Sequence, residues 1–200
     1  KTDHSVALRF DRAATAYDAE AAGQRAAADL LIEALPSSCA PKTILEIGCG
    51  TGILTERIRE RFPEAHIDAF DIAPGMVQAT QAKLQDYPSL RVSLADARTY
   101  TPPKQTYDLI LSASVLHWID PVTPLLQRLL GGLHTDGMLG VSVMLQDTWK
   151  PLHDARKIVA PNAPPQRALA PASLWLTALN EAGWHTTTHA ENHLTQHWPD

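Results

Sequence analysis

Residues 44–52 read Ile44-Leu45-Glu46-Ile47-Gly48-Cys49-Gly50-Thr51-Gly52, a short apolar strand running into a glycine-rich turn. A helix is expected to begin near Thr51 or Gly52. Glycine has no Cβ, so such a turn lets backbone N–H groups and a helix N-terminus come close to a ligand. The spacing speaks against phosphate. The dinucleotide fingerprint G-x-G-x-x-G needs a glycine at 53, where Ile53 stands, and the hydrolase loop needs Gly-Lys-Ser/Thr, which is missing. An anionic Glu46 beside the loop would repel phosphate and favour a cation. S-adenosylmethionine fits, with a sulfonium, an ammonium and no phosphate.

Outward from the turn, strands and helices alternate. Leu54, Ile58 and Phe62 recur every four residues on one helix face, interleaved with Arg57, Arg59 and Arg61, and Pro63 ends that helix. His66–Phe70 reads as a second strand closing on Asp71, about 20 residues past the glycines, where an acid can hydrogen-bond ribose hydroxyls. A helix is expected near 75–85, then strands at Arg91–Ala95, Asp108–Ser112 and Met138–Leu145, the last opened by Asp136-Gly137. Such alternation implies an α/β fold, a doubly wound, mostly parallel sheet. Its ligands bind beyond the strand carboxyl ends, where Glu46, Asp71, Asp96 and Ser112 fall.

Residues 43–145 resemble a class I S-adenosylmethionine-dependent methyltransferase, with Glu46 to Gly52 as the first motif. The resemblance implies a Rossmann-like sheet of order 3-2-1-4-5-7-6. It also implies a cofactor site. Glu46 would hold the methionine ammonium through the loop or water, and Gly48, Cys49, Gly50 and Gly52 would form the loop. Asp71 would bind the ribose, and Ile72 and Met76 would pack on the adenine. Asp96 would meet the adenine amino group, Ala97 would add a backbone contact, and Ser112 and Ala113 would line the sulfonium end. Residues Val6 to Asp18, Ser112 to Trp118 and Ala170 to Trp184 extend the resemblance to the malonyl-[acyl-carrier protein] O-methyltransferases of biotin synthesis. Methyltransferases of trans-aconitate share much of this. By the same resemblance residues 1–35 form a helical lid over the cofactor, with Phe10 and Tyr17 facing it. Family members run past the position of Asp200, so the last strand would be missing here or replaced by residues 184–198, leaving a sheet edge unpaired.

A chain of 200 residues, 44% hydrophobic and 20% charged, is expected to form one domain: lid 1–35, cofactor core 43–145, substrate side 146–200. No apolar run approaches the ~18–20 residues of a membrane helix and no signal-peptide pattern opens the chain. Lys1 implies a native start upstream. A net charge of −5 gives no broad basic surface, and no Asn/Asp-Pro-Pro-aromatic motif follows the fourth strand, so neither nucleic acid nor membrane is expected as a partner. Two cysteines, Cys39 in a proline-flanked linker and Cys49 packed in the turn, fit a reducing cytoplasm.

His185, His189, His193 and His197 recur every four residues, but the surrounding threonines favour strand. On a strand these histidines lie about 13 Å apart, too far to share an ion, so no metal is expected. Asp147 to Pro171 is a proline-rich insertion before a helix Ser173–Ala182 that Ser173 can cap and Gly183 can close. Lys150, Arg156 and Lys157 within it could receive a carboxylate or an acidic carrier protein. His117 and Trp118, after the fourth strand, are candidates for substrate contact.

Methyl transfer to a carboxylate requires no base, because the group is ionised at neutral pH. A hydroxyl or carbon acceptor would need one, and His117 is the candidate. The expected function is O-methylation of a small or carrier-bound acid, with malonyl on acyl-carrier protein as the specific reading and S-adenosylhomocysteine as the co-product. The alternatives are a methyltransferase of a free acid such as trans-aconitate or of another metabolite, and a cofactor-binding module without catalysis.

Overall fold

The structure is a computed structural model that describes residues 21–160, 162 and 168–193. In chain order its elements are α1 (Ala22–Ala34), β1 (Thr43–Ile47), α2 (Ile53–Arg61), β2 (His66–Asp71), α3 (Pro74–Lys83), β3 (Leu90–Leu94), β4 (Tyr107–Ala113), a 3-10 turn (Leu116–Trp118), α4 (Thr123–Gly132), β5 (Leu133–Ser142), α5 (Lys150–Val159) and α6 (Ala172–Glu181). The sheet order is β3-β2-β1-β4-β5, and every pairing is parallel.

The central strands are mostly apolar through their middles because both faces are covered. Side chains alternate across the sheet. Ile44, Ile67, Leu109 and Leu111 pack beneath α1 and α2, with Leu31, Leu54 and Ile58. Leu45, Ile47, Phe70 and Ile110 face the other way, onto Leu125, Leu126 and Leu129 of α4 and Trp175 of α6. Burying a side chain of this size stabilises the fold by roughly 1.5–3 kcal/mol, so the two layers carry the fold.

Several boundaries differ from the sequence expectation. The fifth strand starts at Leu133, not Met138: Leu133 pairs with Tyr107, then the register jumps to Met138 opposite Leu109. Asp136-Gly137 is thus part of a bulge and not the turn before the strand. The strand stops at Ser142, where Ser114, at φ 59°, turns away and donates its N–H to the Ser142 carbonyl at 2.8 Å. The helix expected to be capped by Ser173 begins at Ala172 after Pro171, and no side chain caps it. Its other end meets expectation, with Gly183 at φ 92° and the Trp184 N–H donating to the Leu179 carbonyl.

The proline-rich insertion contains a ten-residue helix, α5, that buries none of its residues. Residues 184–193 form no strand, so His185, His189 and His193 lie on irregular exposed chain; His197 and the end of the expected strand fall outside the described residues. Among the described residues β5 is one edge of the sheet. No described helix is long and apolar enough to cross a membrane.

Arg61 joins the two helices that cover one face. Its guanidinium donates to the carbonyls of Ile32, Leu35 (2.9 Å) and Pro36 (3.0 Å) at the end of α1. The Ile32 and Pro36 carbonyls also accept the Leu35 and Cys39 N–H groups, at 3.2 and 3.0 Å, so Arg61 reinforces a helix end that is already closed. Arg61→Ala is expected to cost about 2 kcal/mol, and urea denaturation would read it as a lower midpoint with an unchanged slope.

Candidate active site

The Gly48–Gly52 turn leaves the carboxyl end of β1 through three left-handed glycines, Gly48, Gly50 and Gly52, with φ of 74°, 55° and 87°. Gly48 also passes so close to Val115 that a Cβ would sit 2.4 Å from its Cγ2, whereas a Cβ on Gly50 would meet nothing within 4 Å. The turn therefore presents a bare backbone surface at Gly50.

The Gly48, Cys49, Gly50 and Gly52 amides have partners within the protein. The Gly48 and Cys49 N–H groups donate to the Phe70 carbonyl at 2.8 and 3.0 Å, and the Gly50 N–H donates to Asp71 Oδ2 at 3.0 Å. Gly52 N–H closes the turn on the Cys49 carbonyl, and Thr80 Oγ1 donates to the Gly50 carbonyl at 2.7 Å. A phosphate nest needs such N–H groups aimed outward, so this turn rejects phosphate by geometry.

Asp71, at the end of β2, organises the turn. Its Oδ1 accepts the Ala73 N–H at 2.9 Å while Oδ2 accepts that of Gly50. Burial pushes its carboxyl above the usual range, and hydrogen bonds from the Ala73, Gly50 and Ile72 amides oppose the rise. Asp71→Asn would leave one buried amide without its acceptor. That change is expected to weaken cofactor binding roughly 10- to 100-fold by calorimetry, alongside a lower melting temperature.

An open cleft of about 150 Å³ lies over the strand carboxyl ends. Of the residues expected there, Gly48, Cys49, Gly50, Asp71, Ile72, Met76, Asp96, Ala97, Ala113 and Trp118 form its walls. Sequence reasoning missed Gln24 and Ala28 from α1, Phe70 on β2, and Arg98, Ser114 and Val115 on loops. Only its position two residues after Asp96 could have pointed to Arg98. Asp96 accepts the Arg98 backbone N–H at 2.9 Å and its guanidinium at 2.6–3.0 Å, which holds the Asp96 carboxyl below its usual range. Among the described residues of the wall Arg98 is the one cation, and it is engaged in this pair.

Several candidates sit elsewhere. Glu46 is not on the cleft wall. Strand alternation turns it to the α1/α2 face, opposite Leu111 in β4, with 0% exposure. Neither carboxyl oxygen, nor the Thr55 hydroxyl nearby, has a hydrogen-bond partner among the described residues. Burial pushes the Glu46 carboxyl up to about 8, with the Asp71 charge adding to the rise. Thr55 lowers it by more than the Asp71 charge adds, and burial outweighs both. In the ligand-free chain Glu46 is therefore mostly neutral at pH 7, contrary to the anion expected from sequence.

Gly52 is buried under α3 at the start of α2, off the wall. Ser112 is also buried, its Oγ donating to the Ile47 carbonyl at 3.0 Å, so it ties β4 to β1 instead of facing a ligand. His117 points into the protein: its Nδ1 accepts the Met144 N–H at 3.4 Å, its ring lies 5.2 Å from that of Trp118, and it does not line the cleft. This geometry does not suit a base for substrate. Cys49 is buried, and burial raises its thiol further from reactivity. Lys150 is exposed on α5, paired with Asp154 at 2.6 Å. Tyr17 and Phe10 lie outside the described residues. No group of acidic, histidine or cysteine side chains among the described residues could hold a metal ion.

A family model described as a methyltransferase domain matches residues 45–139. The chain is 37% identical over 156 residues, 78% of its length, to a malonyl-[acyl-carrier protein] O-methyltransferase of Ilyobacter polytropus, of which the match covers 58%. It is 38% identical over 125 residues, 62% of its length, to a trans-aconitate 2-methyltransferase of Methylobacterium radiotolerans, of which the match covers 46%. The chain thus spans about half to three-fifths of these relatives. Among solved structures, an S-adenosylmethionine-dependent methyltransferase of Mesorhizobium loti superposes with a TM-score of 0.61 at 20% identity, over 78% of this chain and 79% of that one, and so shares the fold. Strand order and turn geometry agree with these likenesses: residues 45–139 are similar to a methyltransferase domain, and the sheet has the fold of solved S-adenosylmethionine-dependent methyltransferases.

Proposed function

We propose that the chain methylates a carboxylate with S-adenosylmethionine, and that its acceptor is malonyl carried on acyl-carrier protein. The observation that carries the reading is the 37% identity to a malonyl-[acyl-carrier protein] O-methyltransferase over 156 residues. The cleft fits a cationic, phosphate-free cofactor. The Gly48, Cys49, Gly50 and Gly52 amides are consumed, Gly50 is bare, and the acids Asp71 and Asp96 stand at successive strand ends. Asp71 would accept the ribose hydroxyls through the lone pairs left by its two backbone bonds. Ile72 and Met76 would pack on the adenine, the Asp96–Ala97 segment would meet its amino edge, and Ala113 would border the methyl donor. Residues 1–35 would act as a lid, with α1 already contributing Gln24 and Ala28 to the wall.

Bound S-adenosylmethionine supplies a methyl group activated on sulfonium for in-line displacement. The protein's part is to align that methyl with the acceptor and exclude water. A malonyl carboxylate arrives ionised and asks for no proton transfer. This agrees with His117 turned inward, off the cleft wall.

Incubation with S-adenosylmethionine and malonyl-acyl-carrier protein is expected to yield the malonyl methyl ester by mass spectrometry. No ester, with turnover of a free acid, would overturn the reading. A second reading, methylation of a free polycarboxylate, is favoured by the likeness to the trans-aconitate enzyme. Turnover of trans-aconitate and not of the carrier substrate would select it.

A further inference from the structure

α5 is unusual in this molecule. It buries no residue, and its apolar side chains face outward: Leu152 is 52% exposed, Ile158 82% and Val159 84%. At helical spacing Leu152, Ala155, Ile158 and Val159 form one strip, with Arg156 along its edge. The helix carries Lys150, Arg156 and Lys157 against the single acid Asp154, in a chain whose net charge is −5. Lys150 and Lys157 share Asp154, at 2.6 and 3.4 Å, while Arg156 makes no ion pair among the described residues.

Its place in the fold matters equally. β5 runs parallel to its neighbours, so its carboxyl end, and the segment that leads to α5, emerge on the cleft side of the sheet. That segment is anchored there by the Met144 N–H on His117, the residue before Trp118 of the cleft wall.

We propose that α5 is a docking surface for an acidic carrier protein, with the Leu152–Val159 strip as the apolar anchor and Arg156 and Lys157 as the charges that steer it. This rests on the carrier-bound reading of the acceptor. An acidic protein is repelled by a chain of net charge −5 and attracted at its locally basic segment, so charge selects the face it meets first. The exposed strip then supplies the non-electrostatic contact, as an amphipathic helix does for a partner groove. A carrier docked here holds its acyl group on the side where the cleft opens.

The test compares the full chain with its Arg156→Glu/Lys157→Glu variant on two substrates, malonyl-acyl-carrier protein and malonyl-pantetheine, which has no protein to dock. The variant is expected to raise KM for the carrier substrate about tenfold with kcat unchanged, to lose the salt dependence of that KM, and to keep the kinetics of the small thioester. Unchanged kinetics on the carrier would overturn the proposal, as would an equal loss on both substrates. So would phosphatidylglycerol vesicle binding that the variant abolishes while carrier kinetics stay intact. Wild-type turnover of malonyl-pantetheine but not of the carrier would refute docking and leave carboxylate methylation standing. Turnover of free acids alone would refute the carrier-bound reading itself, and the docking surface with it.

Discussion

Gly48→Ala is expected to destabilise the chain by about 3 kcal/mol and to weaken cofactor binding at least 100-fold. Two independent costs add. At φ 74° an alanine pays roughly 1–2 kcal/mol for the left-handed backbone, and its methyl would sit 2.4 Å from Cγ2 and 2.8 Å from Cγ1 of Val115. Overpacking of that kind costs about 1–3 kcal/mol, because Val115 cannot move without disturbing the loop after β4. Gly48 and Val115 both line the cleft, so whichever yields deforms the binding wall. A double-mutant cycle with Val115→Ala separates the terms. The second substitution should recover the steric part and leave the backbone part, seen in denaturation midpoints and in calorimetric titration with S-adenosylhomocysteine. A single variant that melts and binds like the wild type would refute the close approach.

Glu46→Gln should produce the opposite effect, a protein more stable at alkaline pH. Burial raises the folded-state pKa of Glu46 from 4.5 to about 8. A group with a raised folded pKa gives its stability in full below the unfolded pKa and loses it as pH climbs to the folded one. Between about pH 4.5 and 8, then, the unfolded chain releases a proton that the folded chain keeps, and wild-type stability falls. Glutamine carries no such proton. The gap amounts to some 4 kcal/mol at pH 8, against which an unpaired buried amide costs about 2. The variant should therefore melt roughly 5 °C above wild type at pH 8 and no higher than wild type at pH 5. Cofactor affinity should change little, since Glu46 lies off the cleft wall. A pH-independent stability difference would show that Glu46 is already ionised in the fold.

Much of this molecule was legible from local pattern. The Leu54, Ile58, Phe62 spacing located α2, and alternation of strands with helices located the sheet, because hydrophobic period and turn chemistry act over a few residues. Asp71 and Asp96 were legible because strand ends in a parallel sheet converge on one side. Glu46, Ser112 and His117 lie off the cleft wall for one shared reason. Each is close in sequence to the cleft, but the strand pleat or the turn after β4 points its side chain into the core. Arg98 escaped notice because its pairing with Asp96 depends on a loop conformation that no periodicity encodes. β5 was shifted by five residues because a bulge lets a Gly-containing segment stay within the strand.

By itself the amino-acid sequence determined the parallel sheet and the choice against phosphate, since glycine spacing, apolar period and an absent lysine are all local facts; the strand order came from the family resemblance. Tertiary packing alone decided how that choice is enforced. The turn excludes phosphate because Phe70 and Asp71, more than 20 residues away, consume its Gly48, Cys49 and Gly50 amides, and not because Glu46 is charged. Folding buries Glu46 under α2 and raises its pKa, so the acid read as the anion of the site is, in the ligand-free chain, a neutral group beneath it.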